Sequence, residues 1–416
     1  MDRKKYRTKS ILGKECYHNN DSWETGLNNN ILVLGPSGTG KTRGLLIPNI
    51  LQCNESFIVI DTKGILREQT EETLVKNGYE IREINFTELQ NSSGYNPLSF
   101  IRYDSERGAY SEEDILTLCE IICPIESHHD VFWDNAAKNY LSVMVAYCME
   151  ELPKEEHTLK TVARLQSLMK INPKTHKSDF DKLIDALEEE NPDSFAVTQY
   201  RSLQVSFEAE KMNASILGII AEKLRCVSLH NVNEMYLKED QIDFTELGRR
   251  KSAIFVTVSD LEHSLAPLIN LFIAQAFHTL LYSADKDYPE HMLPVPVRFF
   301  LDDFCNLQIP DMDQILSVIR SREIYCNLYF QTVTQLSAQY GHDRASSIIG
   351  NCDTQIVLGF QDTETARAYT DRANLPISSL MATPSDKEWL FVRGEPARLL
   401  CKYDLKEHPS QFEFPT

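Results

Sequence analysis

Residues Gly35-Pro36-Ser37-Gly38-Thr39-Gly40-Lys41-Thr42 spell G-x-x-x-x-G-K-T directly after the apolar run Ile31-Leu32-Val33-Leu34. This pattern constrains the fold because it works only as a turn from a strand into a helix. Glycines allow backbone angles closed to other residues, and the freed N–H groups converge on phosphate oxygens at the start of the helix. Lys41 adds a point charge for the β and γ phosphates, and Thr42 offers its hydroxyl to Mg²⁺. The chain is therefore expected to be α/β and to hold a nucleoside triphosphate.

At 416 residues the chain exceeds what one core usually supports, so two lobes or one domain with a large insertion are expected. A formal net charge of −19 argues against a surface that coats DNA non-specifically, so any nucleic-acid contact must be local. Between Asp104 and Arg250, 28 Asp and Glu stand against 16 Lys and Arg, which puts most of the acidity in that segment. Such a surface is either a solvated face or a receiver for a basic protein partner. The ten cysteines form no C-x-x-C pair and several sit in apolar runs, which fits reduced thiols in a cytoplasmic compartment. The start, Met1 to Lys14, is basic but has no apolar core and is not a signal peptide. The stretch Leu265 to Tyr282 contains Asn270, Gln275 and His278, and reads as a packed helix, not a membrane span.

Strand and helix patterns alternate after the loop. A helical stretch from Arg43 to Cys53 is interrupted by Pro48. Strands follow at Phe57 to Ile60 and Tyr79 to Ile84, with a helix at Glu68 to Asn77 between them, and this alternation implies a parallel sheet. From Asp104 the period becomes helical, as in Trp133 to Met149 and Ile216 to Val227, with breaks at Pro153, Pro173 and Pro192. Strands resume at Ala253 to Val258 and then at Val297 to Leu301, Cys326 to Phe330, Gln355 to Leu358, Trp389 to Val392 and Leu399 to Tyr403. Helices are expected at Met312 to Arg322 and at Thr363 to Ala373, the latter capped by Asp362. The expected organisation is a nucleotide-binding domain in two parts, 1–103 and 251–416, split by an all-α insert at 104–250.

Val297-Arg298-Phe299-Phe300-Leu301 is an apolar strand ending in Asp302-Asp303. Paired carboxylates at a strand end are also ordinary turn residues; beside a phosphate loop they suit a P-loop ATPase. Asp302 is expected to act on the Mg²⁺ shell, and Asp303 to orient or deprotonate the attacking water. Gln331, at the end of Asn327 to Phe330, is placed to report the γ-phosphate. Arg320 is the candidate for a finger that stabilises charge on the transferred phosphoryl group of a neighbouring subunit; equally, Arg320 and Arg322 could serve the dipole of the helix they end.

The loop with Arg43-Gly44 and Ile47-Pro48-Asn49, then Ile60-Asp61-Thr62-Lys63-Gly64, Tyr95-Asn96-Pro97-Leu98, Phe132-Trp133, Leu301-Asp302-Asp303-Phe304, Gln331-Thr332-Val333-Thr334-Gln335-Leu336, Tyr340-Gly341 and Asn351-Cys352 together resemble the type IV secretion coupling proteins of the TraG/TraD-like kind. Only the loop is specific alone; the ordered set over nearly the whole length carries the likeness. The resemblance implies a RecA-like P-loop NTPase with a mostly parallel sheet and an inserted all-α domain. It implies ATP and Mg²⁺ as cofactors, with Gly35 to Arg43 on the nucleotide and Thr42 and Asp302 on the metal. Lys41, Asp303, Arg320 and Gln331 become the catalytic set. It further implies a homo-hexameric ring that couples hydrolysis to moving DNA, with relaxase and secretion-channel proteins as partners.

Three departures qualify the likeness. The family usually carries Glu where Asp303 stands, and one methylene less moves the carboxylate about 1.5 Å. Thr62 replaces a usual proline. Most members carry membrane helices before the motor, whereas this chain starts about thirty residues before its first strand, so either it docks on a membrane partner at the inner face of the membrane or its anchor has been cut away. A non-hydrolysing adaptor using the acidic insert, or a DNA translocase outside secretion, are the alternative readings. The basic clusters Arg249-Arg250-Lys251 and Arg3-Lys4-Lys5 are either DNA contacts or ordinary surface.

Overall fold

The computed structural model describes residues 9–62, 64–124, 131–172, 174–204, 210–259 and 261–410. Arg3-Lys4-Lys5, Lys63 and Pro173 lie outside them. Two compact units are present: Met1–Thr87 with Asp243–Leu261 and Phe277–Thr416, and Glu88–Ile242 with Glu262–Ala276.

The first unit is built on a nine-stranded sheet. In chain order its strands are β1 Ile31–Leu34, β2 Ser56–Thr62, β3 Glu80–Asn85, β4 Ser252–Val258, β5 Val297–Leu301, β6 Ile324–Phe330, β7 Thr354–Val357, β8 Lys387–Val392 and β9 Arg398–Cys401. Their spatial order is β9-β8-β7-β1-β6-β5-β2-β4-β3. All neighbouring pairs from β7 to β3 are parallel, while β8 and β9 add antiparallel at one end. Every residue of β1, β5 and β6 is buried, as expected of parallel strands covered on both faces. Because β1, β5 and β6 run the same way, Leu34, Leu301 and Phe330 all end at one edge of the sheet. β1 lies between β6 and β7, although the chain leaves it for β2, so the strand order reverses there; such a crevice is where α/β sheets bind ligands.

Local chemistry sets the element ends. Pro48 does not break the helix after the loop. The backbone passes through a π turn, Thr42–Leu46, before an α segment Ile47–Leu51, so Pro48 falls in a first turn where its missing N–H costs little. The Asp61 carboxylate accepts the backbone N–H of Leu66 and of Arg67 at 3.0 and 2.9 Å, starting the helix Ile65–Lys76. Met312–Val318 is α-helical and tightens into a 3-10 turn at Ile319–Arg322. An N-terminal hairpin, Lys9–Gly13 with Cys16–Asn19, was not foreseen; its residues lack a long apolar run.

The second unit is mainly helical, with helices that include Glu112–Ile122, Val131–Glu151, Leu159–Leu168, Asp179–Glu190, Phe195–Gln204 and Glu210–Leu224. It also holds a two-residue ladder, Tyr103–Asp104 with Ala109–Tyr110. Helix starts carry their own caps: Ser111 accepts from the Asp114 N–H, and Ser178 forms a capping box with Asp181. This unit differs in extent from the 104–250 expected. Its two ends are stapled where Ile242 N–H donates to the Gly94 carbonyl (2.9 Å) and Gly94 N–H to the Asp240 carbonyl (3.0 Å). Tyr95, fully buried, donates its hydroxyl to Gln275, whose amide donates to the Pro97 carbonyl. Those long-range pairings draw in residues 88–103 and 262–276, which periodicity alone does not assign.

Candidate nucleotide site

The loop opens where Gly35 N–H donates to the Phe330 carbonyl at 3.2 Å and the Leu34 carbonyl accepts from Leu358 N–H at 2.8 Å. Gly35 is thus seated between the ends of β6 and β7. A Cβ there would come within 2.9 Å of Thr39 Oγ1 and 3.0 Å of Leu358 Cβ, so any larger residue would force these neighbours to shift. Gly38 and Gly40 have φ of 77° and 96°, and Ser37 and Gly38 are exposed. Lys41 is buried, and its ammonium donates to the carbonyls of Gly35 (2.6 Å) and Pro36 (3.2 Å). Burial lowers the Lys41 ammonium, opposed by the charges of Asp302 and Asp303. Arg43 is exposed on the first turn after the loop.

Across the edge, Thr42 Oγ1 lies 3.3 Å from Asp302 Oδ2, although 260 positions separate them in sequence. Burial pushes the Asp302 carboxyl up to about 6; the Asp303 charge adds to this, while the Asp303 N–H, Lys41 and Thr42 oppose it. A carboxyl whose ionised form is disfavoured in this way is one that a cation would restore. Asp303 adopts the left-handed region at φ 47°, ψ 43°, which turns the chain sharply into the Phe304–Asn306 turn. That turn is clamped: Phe304 stacks on Tyr340 with ring centroids 5.2 Å apart, and the Tyr340 hydroxyl donates to the Leu307 carbonyl at 2.8 Å. Gln331 follows Phe330 directly, beside Gly35, and Thr332 then caps the helix Val333–Tyr340 by accepting the Gln335 N–H.

The structure thus brings Lys41, Thr42, Asp302, Asp303 and Gln331 to one edge. It does not bring Arg320 there. Arg320 precedes β6 and so sits at the opposite edge, where its guanidinium donates to the Ser22 carbonyl at 2.8 Å. Arg322 is occupied otherwise: it forms a two-point ion pair with Asp285 at 3.0 Å and donates to the Val318 carbonyl at the helix end. The basic cluster 249–251 is likewise engaged, Arg250 with Glu80 and Glu246, Arg249 with Glu246, and Lys251 with the Cys53 carbonyl.

Sequence reasoning missed Arg298, inside the strand it identified. This side chain is 1% exposed, pairs with buried Glu55, and donates to the Asn29 carbonyl and to Asn327. An arginine among four apolar residues was the available signal. Lys402 was also missed; its ammonium donates to the Thr39 carbonyl of the loop at 2.8 Å, and a lysine just past a strand end carries no sequence signal.

Residues 1–372 match the model of the family described as type IV secretory system conjugative DNA transfer. The chain belongs to that family. It is 23% identical over 354 residues to the conjugal transfer protein TraG of Escherichia coli, covering 81% of this chain and 53% of that protein, so it spans about half of the relative's length. Two solved structures of the plasmid coupling protein TrwB share the fold: the complex with the ATP analogue ADPNP (TM-score 0.71, 15% identity, 97% of this chain and 92% of that one) and the complex with ADP and Mg²⁺ (TM-score 0.70, 15% identity, 95% and 89%). The fold is RecA-like, as the family motifs implied. Among the described residues no helix is long and apolar enough to cross a membrane.

Proposed function

We propose that this chain is the ATPase motor of a conjugative coupling protein, hydrolysing ATP with Mg²⁺ to drive relaxase-bound DNA through a type IV secretion channel. One observation carries the reading: the phosphate loop and the twin aspartates, far apart in sequence, meet at one sheet edge with Thr42 and Asp302 in contact. The donor set fits a triphosphate with its metal, namely a buried lysine, a hydroxyl, a half-buried carboxylate and glycines at positive φ. When bound, Mg²⁺ would neutralise charge building on the phosphates, with Thr42 and Asp302 holding it. Lys41 trades its loop carbonyls for phosphate oxygens, Asp303 takes the proton of the attacking water, and Gln331 senses the γ position. The TrwB complexes with ADPNP and with ADP and Mg²⁺ support the same ligands for this chain. Arg320, remote from its own loop, suits a neighbour's site in a homo-hexamer, and DNA, relaxase and channel proteins are the partners proposed.

Purified chain supplied with Mg²⁺, ATP and either single- or double-stranded DNA is expected to turn over ATP, and Lys41→Ala to lose at least about 100-fold. Equal turnover in both proteins would refute the motor reading.

A further inference from the structure

The last strand ends at Cys401, and the next two residues run beside the phosphate loop. Their path is set from both sides. Lys402 N–H donates to the Asp386 carbonyl at 3.0 Å, and the Cys401 carbonyl accepts from Lys14 N–H at 2.9 Å. Farther on, Lys14 pairs with Glu407 at 2.7 Å, so the N-terminal hairpin holds this segment at two points. Lys402, half-buried, is thereby presented to the loop with its ammonium 2.8 Å from the Thr39 carbonyl. A trans peptide directs its C=O and N–H to opposite sides. Whatever holds the Thr39 carbonyl outward turns the Gly40 N–H inward, and Gly40, at φ 96°, is the residue free to follow.

Taking the loop as a nucleotide site, we propose that Lys402 is a positioning residue: by gripping the Thr39 carbonyl it aims the Gly40 amide at the phosphates. Loss of one well-aimed amide to an anion corresponds to about tenfold in affinity. The test uses the full chain with K402M and K402R, titrated with a fluorescent ATP analogue and Mg²⁺, alongside melting without nucleotide. The expected result is about tenfold weaker binding in K402M and recovery to within about threefold in K402R, which keeps a donor over the carbonyl, with ligand-free melting unchanged. The difference persists in about 1 M salt, where the Debye length is about 3 Å. Wild-type affinity in K402M overturns the proposal; so does a loss that disappears in salt, since simple attraction would then explain it, or a loss that tracks a lowered ligand-free melting point and is not rescued by arginine. If the folded wild-type chain itself binds no analogue, the nucleotide reading fails and the role of Lys402 falls with it.

Discussion

Asp303, the proton acceptor of the proposed mechanism, carries two constraints. Its left-handed backbone turns the acidic strand away, and its carboxylate is shorter than the family's usual glutamate. Under that proposed mechanism, Asp303→Asn is expected to lower kcat by about 100-fold or more, while Asp303→Glu, which restores the reach, raises it; DNA-stimulated turnover measures both. Indifference to either change would remove Asp303 from the mechanism. Glu388 poses a separate question of charge. It is 1% exposed, its Oε1 has no hydrogen-bond partner among the described residues, and burial pushes its carboxyl from 4.5 up to about 8, opposed by the Lys402 charge. The folded state therefore holds this proton more tightly than the unfolded chain. That contribution is whole below about pH 4.5 and is lost as pH rises through about 8, at roughly 1 kcal/mol per unit between them. Urea melts from about pH 5 to 8 are expected to show this slope in the wild type and a flatter one in Glu388→Gln.

At the scale of elements, β5 carries both the site and its support. Its far end delivers Asp302, while near its start Arg298 and Glu55 form a buried ion pair tying it to the residue just before β2. Removing one partner leaves an uncompensated charge, so Arg298→Met is expected to cost about 3–5 kcal/mol in chemical denaturation. The double change Arg298→Met with Glu55→Leu should recover part of that, because no lone charge is left buried. A double variant less stable than the single one would show that the pair is not coupled. The strands were readable because parallel sheets bury both faces and so appear as largely apolar runs, and Val297–Leu301 falls at the expected residues; the helix Thr363–Ala373 does so as well, behind its Asp362 cap. The N-terminal hairpin escaped because its strands are only five and four residues long, and burial alternates in the second but not in the first.

For the whole molecule, the proposed role of Arg320 sets how many chains one active site would need. Lying at the opposite edge from its own loop, it can serve hydrolysis only in a neighbour. Lys41→Ala and Arg320→Ala are each expected to be inactive alone. Mixed, they should regain a measurable fraction of turnover, since some interfaces then pair an intact loop with an intact arginine. No recovery from an assembled mixture would leave Arg320 with its Ser22 contact as its only role.

What could be read from residues in order was whatever is encoded locally: the glycine-shaped loop, the acidic strand end, the helix caps and the alternation that makes a parallel sheet. These follow from backbone angles and side-chain periods over a few residues. The placement of β1 between β6 and β7, the Gly94–Ile242 staple that sets the limits of the helical unit, the Arg298–Glu55 pair and the reach of Lys402 to Thr39 were decided only by tertiary structure. Each joins residues separated by tens to hundreds of positions, and a contact of that kind leaves no trace in the spacing of its members along the chain.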